Sequence, residues 1–121
     1  MRGMIFGLAL AAATAAPSLA FEQGDWVLGQ WKGGEYWYPG VVENASKSKV
    51  TIRYDDGDVD TRPINQVKEY DWSVGDKVEC NYRGGGTWYK GRIAALNGGS
   101  IRIDYNDGDK EKTKTGMCRS R

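Results

Sequence analysis

Histidine is absent from this 121-residue chain, and cysteine, phenylalanine and proline are scarce, at two, two and three residues. Without histidine the usual base of serine and cysteine catalysis is missing. Two cysteines alone cannot complete a four-ligand zinc shell unless carboxylates join them. Net charge is close to zero, +1 from 17 basic and 16 acidic residues, so the whole chain offers no strong field of one sign to a polyanion. After residue 20 no apolar run approaches the roughly 20 residues that span a bilayer. What remains for chemistry is carboxylates and aromatic rings. Asp55, Asp56, Asp58 and Asp60 crowd one short segment, whereas glycosidase-like acid/base work needs two carboxylates across a cleft. A calcium reading of Asp56-x-Asp58-x-Asp60 fails at Thr61 and Val67, where an EF-hand loop needs its glycine and its bidentate glutamate. The expectation is a non-enzymatic protein with no metal and no cofactor.

The first twenty residues read as a leader. Met1-Arg2-Gly3-Met4 carries one positive charge, Ile5 to Ala16 is apolar and alanine-rich, and Ser18-Leu19-Ala20 offers the small residues of a cleavage site. Cleavage would leave Phe21 first and export the remaining 101 residues, periplasmic or secreted, with no stable membrane insertion afterwards. Export also bears on Cys80 and Cys118, the sole cysteines. Their even number and an oxidising compartment predict a disulfide between them.

Those remaining residues contain one unit written twice. Gly24-Asp25-Trp26-Val27, Trp31-Lys32-Gly33-Gly34, Trp37-Tyr38-Pro39-Gly40 and Tyr54-Asp55-Asp56-Gly57-Asp58 return as Gly75-Asp76-Lys77-Val78, Tyr82-Arg83-Gly84-Gly85, Trp88-Tyr89-Lys90-Gly91 and Tyr105-Asn106-Asp107-Gly108-Asp109. The offset is 51 throughout, with no gap. Two tandem domains follow, over 21–70 and 71–121. Units of about fifty residues have little interior to bury and lean on a neighbour or a covalent staple. The link Tyr70-Asp71-Trp72-Ser73-Val74 is short enough to make them touch.

Short alternating runs rich in β-branched and aromatic residues predict strands, and helical periodicity is absent after the leader. In the first unit these are Trp26 to Trp31, Tyr36 to Val42, Val50 to Tyr54, Asp58 to Arg62 and Ile64 to Val67, with Val50, Ile52 and Tyr54 on one face. Gly33 and Gly34 supply positive φ after the first strand, and Asp56-Gly57 marks a two-residue hairpin. Five short strands close best as a small bent barrel. If the fifth strand returns beside the first, Cys118 comes alongside Cys80.

At these residues the chain resembles a tandem Tudor domain, over Gly24 to Val67 and Gly75 to about Cys118. The resemblance implies two five-stranded SH3-like barrels that bind methylated lysine or arginine in an aromatic cage. Carried over residue by residue, the first cage is Trp31, Tyr38, Tyr54 and Asp56, and the second is Tyr82, Tyr89, Tyr105 and Asp107. Asp58 and Asp109 stand where many members place another aromatic, which leaves each cage open and acidic. Trp37 and Trp88 precede the cage tyrosines, face the other side of their strands, and are assigned to packing. The implied partner is a protein or peptide bearing a cationic, methylated group.

Two other roles compete. Paired barrels can serve as structural surfaces in an envelope or secreted assembly. The second unit can bind a polyanion or nucleic acid: residues 21–70 hold nine acids and six bases, a balance of −3, while residues 71–121 hold seven acids and ten bases, a balance of +3. Lys110, Lys112, Lys114, Arg119 and Arg121 close that unit. Tyr82, Trp88, Tyr89 and Tyr105 lie among Arg83, Lys90, Arg92 and Arg102, a pattern that suits stacking on single strands.

Overall fold

A computed structural model describes residues 20–121. The leader read in residues 1–20 therefore lies, apart from Ala20, outside the described residues. The first sheet comprises β1 (Trp26–Gly29), β2 (Tyr38–Ala45), β3 (Lys49–Tyr54), β4 (Val59–Pro63) and β5 (Val67–Glu69). Its antiparallel order is β4-β3-β2-β1-β5. The second comprises β6 (Lys77–Asn81), β7 (Trp88–Asn97), β8 (Ser100–Tyr105), β9 (Lys110–Lys114) and β10 (Cys118–Arg119), in the matching order β9-β8-β7-β6-β10. Both are the small all-β barrels that the Tudor resemblance implies, with the fifth strand returned beside the first.

Alternation sets the inward faces. Val50, Ile52 and Tyr54 of β3 are buried, as are Ile101, Ile103 and Tyr105 of β8. The strand registers shift between Val42 and Asn44, and again between Ile93 and Ala95, so the duplicated unit keeps a bulge at the same place, where it bends the sheet. Glycine is required where the bent strands cross. A Cβ on Gly40 would come within 2.7 Å of the Arg53 carbonyl oxygen, and one on Gly91 equally close to that of Asp104.

Four local expectations change. Trp31 opens a single 3-10 turn (Trp31–Gly33) instead of ending a strand. The positive φ angles there belong to Lys32, at 52°, and Gly33, at 74°, while Gly34 has φ −74°. Lys32 tolerates the left-handed region because Asp60 Oδ2 accepts its backbone N–H at 2.9 Å, which also ties this turn to β4. Ile64–Gln66 forms another 3-10 turn, so the fifth strand begins at Val67. In the Tyr54–Asp58 hairpin only Gly57 is left-handed, at φ 99°, and its N–H reaches the Tyr54 carbonyl at 2.8 Å. One left-handed residue makes a longer loop than the two-residue turn expected of Asp56-Gly57.

Cys80 and Cys118 are opposite one another in the β6–β10 ladder and are joined by a disulfide. Both are fully buried, so the staple lies inside the second barrel. The first barrel has Gly29 and Val67 at those positions, and a Cβ on Gly29 would meet Ile52 at 2.5 Å.

The barrels share an interior. Leu28 of β1 is buried in one cluster with Trp72, Val78, Ile93 and Ile103, and Trp37 packs against it. Trp37 and Ser120 exchange backbone hydrogen bonds at 2.7 and 2.9 Å. The Trp72 indole donates to Ser120 Oγ at 3.2 Å, and Thr115 Oγ1 donates to Asp55 Oδ2 at 2.5 Å. Gly116 sits against Asp55 so closely that a Cβ would be 2.7 Å from its carbonyl carbon.

Candidate functional site

The first barrel brings its expected site residues to one mouth. The 3-10 turn after β1 presents Trp31, 37% exposed, while β2 supplies half-buried Tyr38 and β3 supplies buried Tyr54. The Trp31 and Tyr38 rings lie 6.4 Å apart, as do those of Tyr38 and Tyr54, each pair edge to face. These three rings line a cleft of about 260 Å³ together with Asp56 and Asp58 of the β3–β4 hairpin.

Trp88 corrects the assignment to packing. It does face away from the second barrel's own aromatic mouth, as strand alternation requires, but what it faces is the first barrel's cleft. Its ring stands edge to face against Tyr38 at 6.2 Å, and it lines the cleft beside Asn81 and Met117 of the second barrel. Arg119 fixes it there. The guanidinium lies 4.2 Å from the Trp88 ring and 3.8 Å from that of Tyr36, donates to Tyr38 Oη at 3.2 Å, and pairs with Glu79 at 3.1 Å. The cleft thus takes a fourth ring from the neighbouring barrel. Strand parity was the available signal for Trp88. It gave the side of the strand but not the neighbour waiting there.

Acidity surrounds the cleft. Burial pushes the Tyr54 hydroxyl well above the ordinary phenol range, and the charges of Asp60 and Asp56 push it further against the opposing pull of Arg62. Tyr54 Oη is buried with no hydrogen-bond partner among the described residues. One oxygen of Asp56 is already engaged, since Oδ1 accepts the Asp58 backbone N–H at 3.0 Å. The turn therefore leaves Oδ2 as the oxygen of Asp56 for any further donor.

The second barrel brings its expected residues together at the matching mouth. Tyr82, Tyr89 and Tyr105 come together at 5.5 to 6.5 Å, all edge to face, as the first barrel's rings do. Arg83 stands over this mouth, 5.3 Å from the Tyr82 ring and donating to its hydroxyl at 3.1 Å, just as the matching Lys32 lies 5.4 Å from the Trp31 ring in the first barrel. Tyr105 Oη donates to Glu111 Oε1 at 2.6 Å; burial first, and then this bond, hold the phenol far above its usual range. Asp107 Oδ1 accepts the Asp109 N–H at 2.9 Å, the same turn geometry as in the first copy. Of the basic residues that close the unit, Arg119 and Arg121 are paired with Glu79 and Glu35, and Lys110 with Asp104. Lys112 and Lys114 stand exposed on the edge strand β9, where lysines discourage pairing with other chains. No group of three or more histidine, cysteine or acidic side chains among the described residues is placed to hold a metal ion.

The class these features define is a fused pair of five-stranded barrels with an aromatic, acidic cleft where they meet. Among solved structures, the chain is similar to tandem Agenet domain 3-4 of ADCP1, with 18% identity over 84% of this chain and 80% of that one and a TM-score of 0.38. It is also similar to AGD34 of Arabidopsis thaliana AGDP1, with 19% identity over 84% and 82% and a TM-score of 0.38. No family model matches the chain, and no curated protein does.

Proposed function

We propose that the chain is an exported, non-enzymatic binding module whose aromatic cleft takes a cationic, methylated group on a peptide or protein. The observation that carries this is the convergence of Trp31, Tyr38, Tyr54 and Trp88 with Asp56 and Asp58 around one cleft. Ring faces carry negative quadrupole density, and a methylated ammonium loses little hydration on entering, so each ring contributes about 0.5–2 kcal/mol. The carboxylates add long-range attraction and, through Asp56 Oδ2, an acceptor for a remaining N–H. A cleft with two aspartates on its rim discriminates weakly between methylation states. Export is supported by the leader-like start of the sequence and by a disulfide of the kind that persists in oxidising compartments.

Titration with mono-, di- and trimethyllysine peptides and with choline, followed by tryptophan fluorescence, tests the reading. Saturable quenching that disappears in both Trp31→Ala and Trp88→Ala is the expected outcome. Failure of every ligand to perturb the wild-type signal at about millimolar concentration, an affinity of only about 4 kcal/mol, overturns it.

A further inference from the structure

The outer face of β6 and β7 bears a charge arrangement that folding does not require. Val78 and Cys80 point inward and are buried, so Lys77 and Glu79 point outward, as do Lys90 and Arg92 around inward Gly91 and Ile93. Lys77 lies directly opposite Arg92 in the ladder. Like charges placed opposite one another destabilise a strand pair. Glu79 lies opposite Lys90 but is held by Arg119 at 3.1 Å, and Asp104 of β8, opposite Arg92, is held by Lys110 at 3.1 Å. Arg92 donates to a neutral group, the Gly75 carbonyl, at 3.0 Å. Among the described residues neither Lys77 nor Lys90 forms a salt bridge.

These cations are gathered, not scattered. Lys77, Lys90, Arg92, Arg119 and Arg121 line one groove of about 470 Å³. The first barrel shows that the unit folds without them. At the positions of Lys77 and Arg92 it carries Trp26 and Val41, and at those of Glu79 and Lys90 it carries Leu28 and Pro39. The duplicated frame has therefore acquired a same-sign cluster in one copy, at a cost that a bound anion would remove.

We propose that this groove is a second binding site, separate from the aromatic cleft, and that it takes an acidic peptide segment. Carboxylates of the chain itself already sit on two of its guanidiniums, Glu79 on Arg119 and Glu35 on Arg121, which shows that the groove's cations accept carboxylate partners. An extended segment repeats its side chains on one face about every 6.8 Å, the spacing of Lys90 and Arg92 along β7. No aromatic side chain lines the groove, so it lacks the stacking platform on which single-stranded nucleic acid depends.

The test is fluorescence anisotropy of a labelled hexaglutamate peptide with the full chain at about 0.01 M and about 0.1 M salt, where screening lengths differ about threefold. Binding at low salt that weakens at high salt is expected. The double variant Lys77→Gln, Arg92→Gln should lose about tenfold or more in affinity, equivalent to about 1.4 kcal/mol, with an unchanged or higher Tm because a like-charge pair is gone. Lys112→Gln, Lys114→Gln on β9 should bind as wild type. Lys90→Gln serves as an independent groove variant should the double variant fold poorly, and a loss of affinity there supports the site. Absence of binding at low salt, equal losses in the groove and β9 variants, or tighter binding of a single-stranded DNA of equal charge overturns the proposal.

Discussion

The Tyr105 hydroxyl donates to Glu111 Oε1 at 2.6 Å, a bond with no equivalent in the first barrel. The residue matching Glu111 is Asp60, one methylene shorter, and its carboxylate already receives the Lys32 backbone N–H at 2.9 Å and Arg62 Nε at 3.1 Å. Tyr54 Oη is left buried and unpartnered. Asp60→Glu should let the first barrel copy the second and raise stability by about 1 kcal/mol, whereas Glu111→Asp should cost about 1–3 kcal/mol by orphaning Tyr105. Urea unfolding of the two variants checks both signs.

Gly116 is a tight point of contact between the barrels. With Asp55 backbone 2.7 Å from where a Cβ would stand, Gly116→Ala should force the barrels apart locally and cost about 1–3 kcal/mol. Because Gly116 and Met117 also line the aromatic cleft, the same variant should weaken ligand-induced quenching. A wild-type melting curve would show that the interface yields freely.

Reduction of Cys80–Cys118 releases a staple across 38 residues. In the chain-entropy treatment that constraint contributes about 3–4 kcal/mol. Paired cysteine-to-serine substitution should lower the denaturation midpoint accordingly, and intact mass under non-reducing conditions should be two hydrogens below that of the reduced chain.

Alkaline pH should unfold the protein through its tyrosines. Burial, with Asp55 adding, pushes Tyr70 from the ordinary 10.0 up to about 12, and Tyr54 and Tyr105 move in the same direction. A phenol whose folded value is raised binds its proton more tightly in the native state. Its contribution to stability is therefore complete below pH 10 and declines as the pH rises from about 10 towards 12. Tyrosinate absorbance followed with circular dichroism should show late ionisation of these residues, coincident with loss of structure.

The repeat made the frame readable because five strands, their inward residues and the Cys80–Cys118 pairing all follow from spacing and parity. Boundaries at Trp31 and Ile64 were not readable, since single 3-10 turns arise from hydrogen bonds such as Lys32 to Asp60 that join residues far apart in sequence. The expected cage residues of the first barrel do converge. Trp88 escaped because alternation says which way a side chain points without saying what is docked there. The basic groove escaped for a related reason: Lys77, Lys90, Arg92 and Arg121 are dispersed along the chain and meet only through the register of β6 with β7 and the return of the C-terminal segment.

That return has a consequence for how the molecule is made. The hydrogen bonds joining the barrels come from Thr115, Arg119, Ser120 and Arg121, which follow the last long strand of the second unit. Trp37 must wait for Ser120, 83 positions later, before its edge is covered. The Trp37 edge thus stays uncovered until that return, and long-range closure of this kind is slow relative to hairpin formation. A folding helper that shields this edge would matter most during that interval.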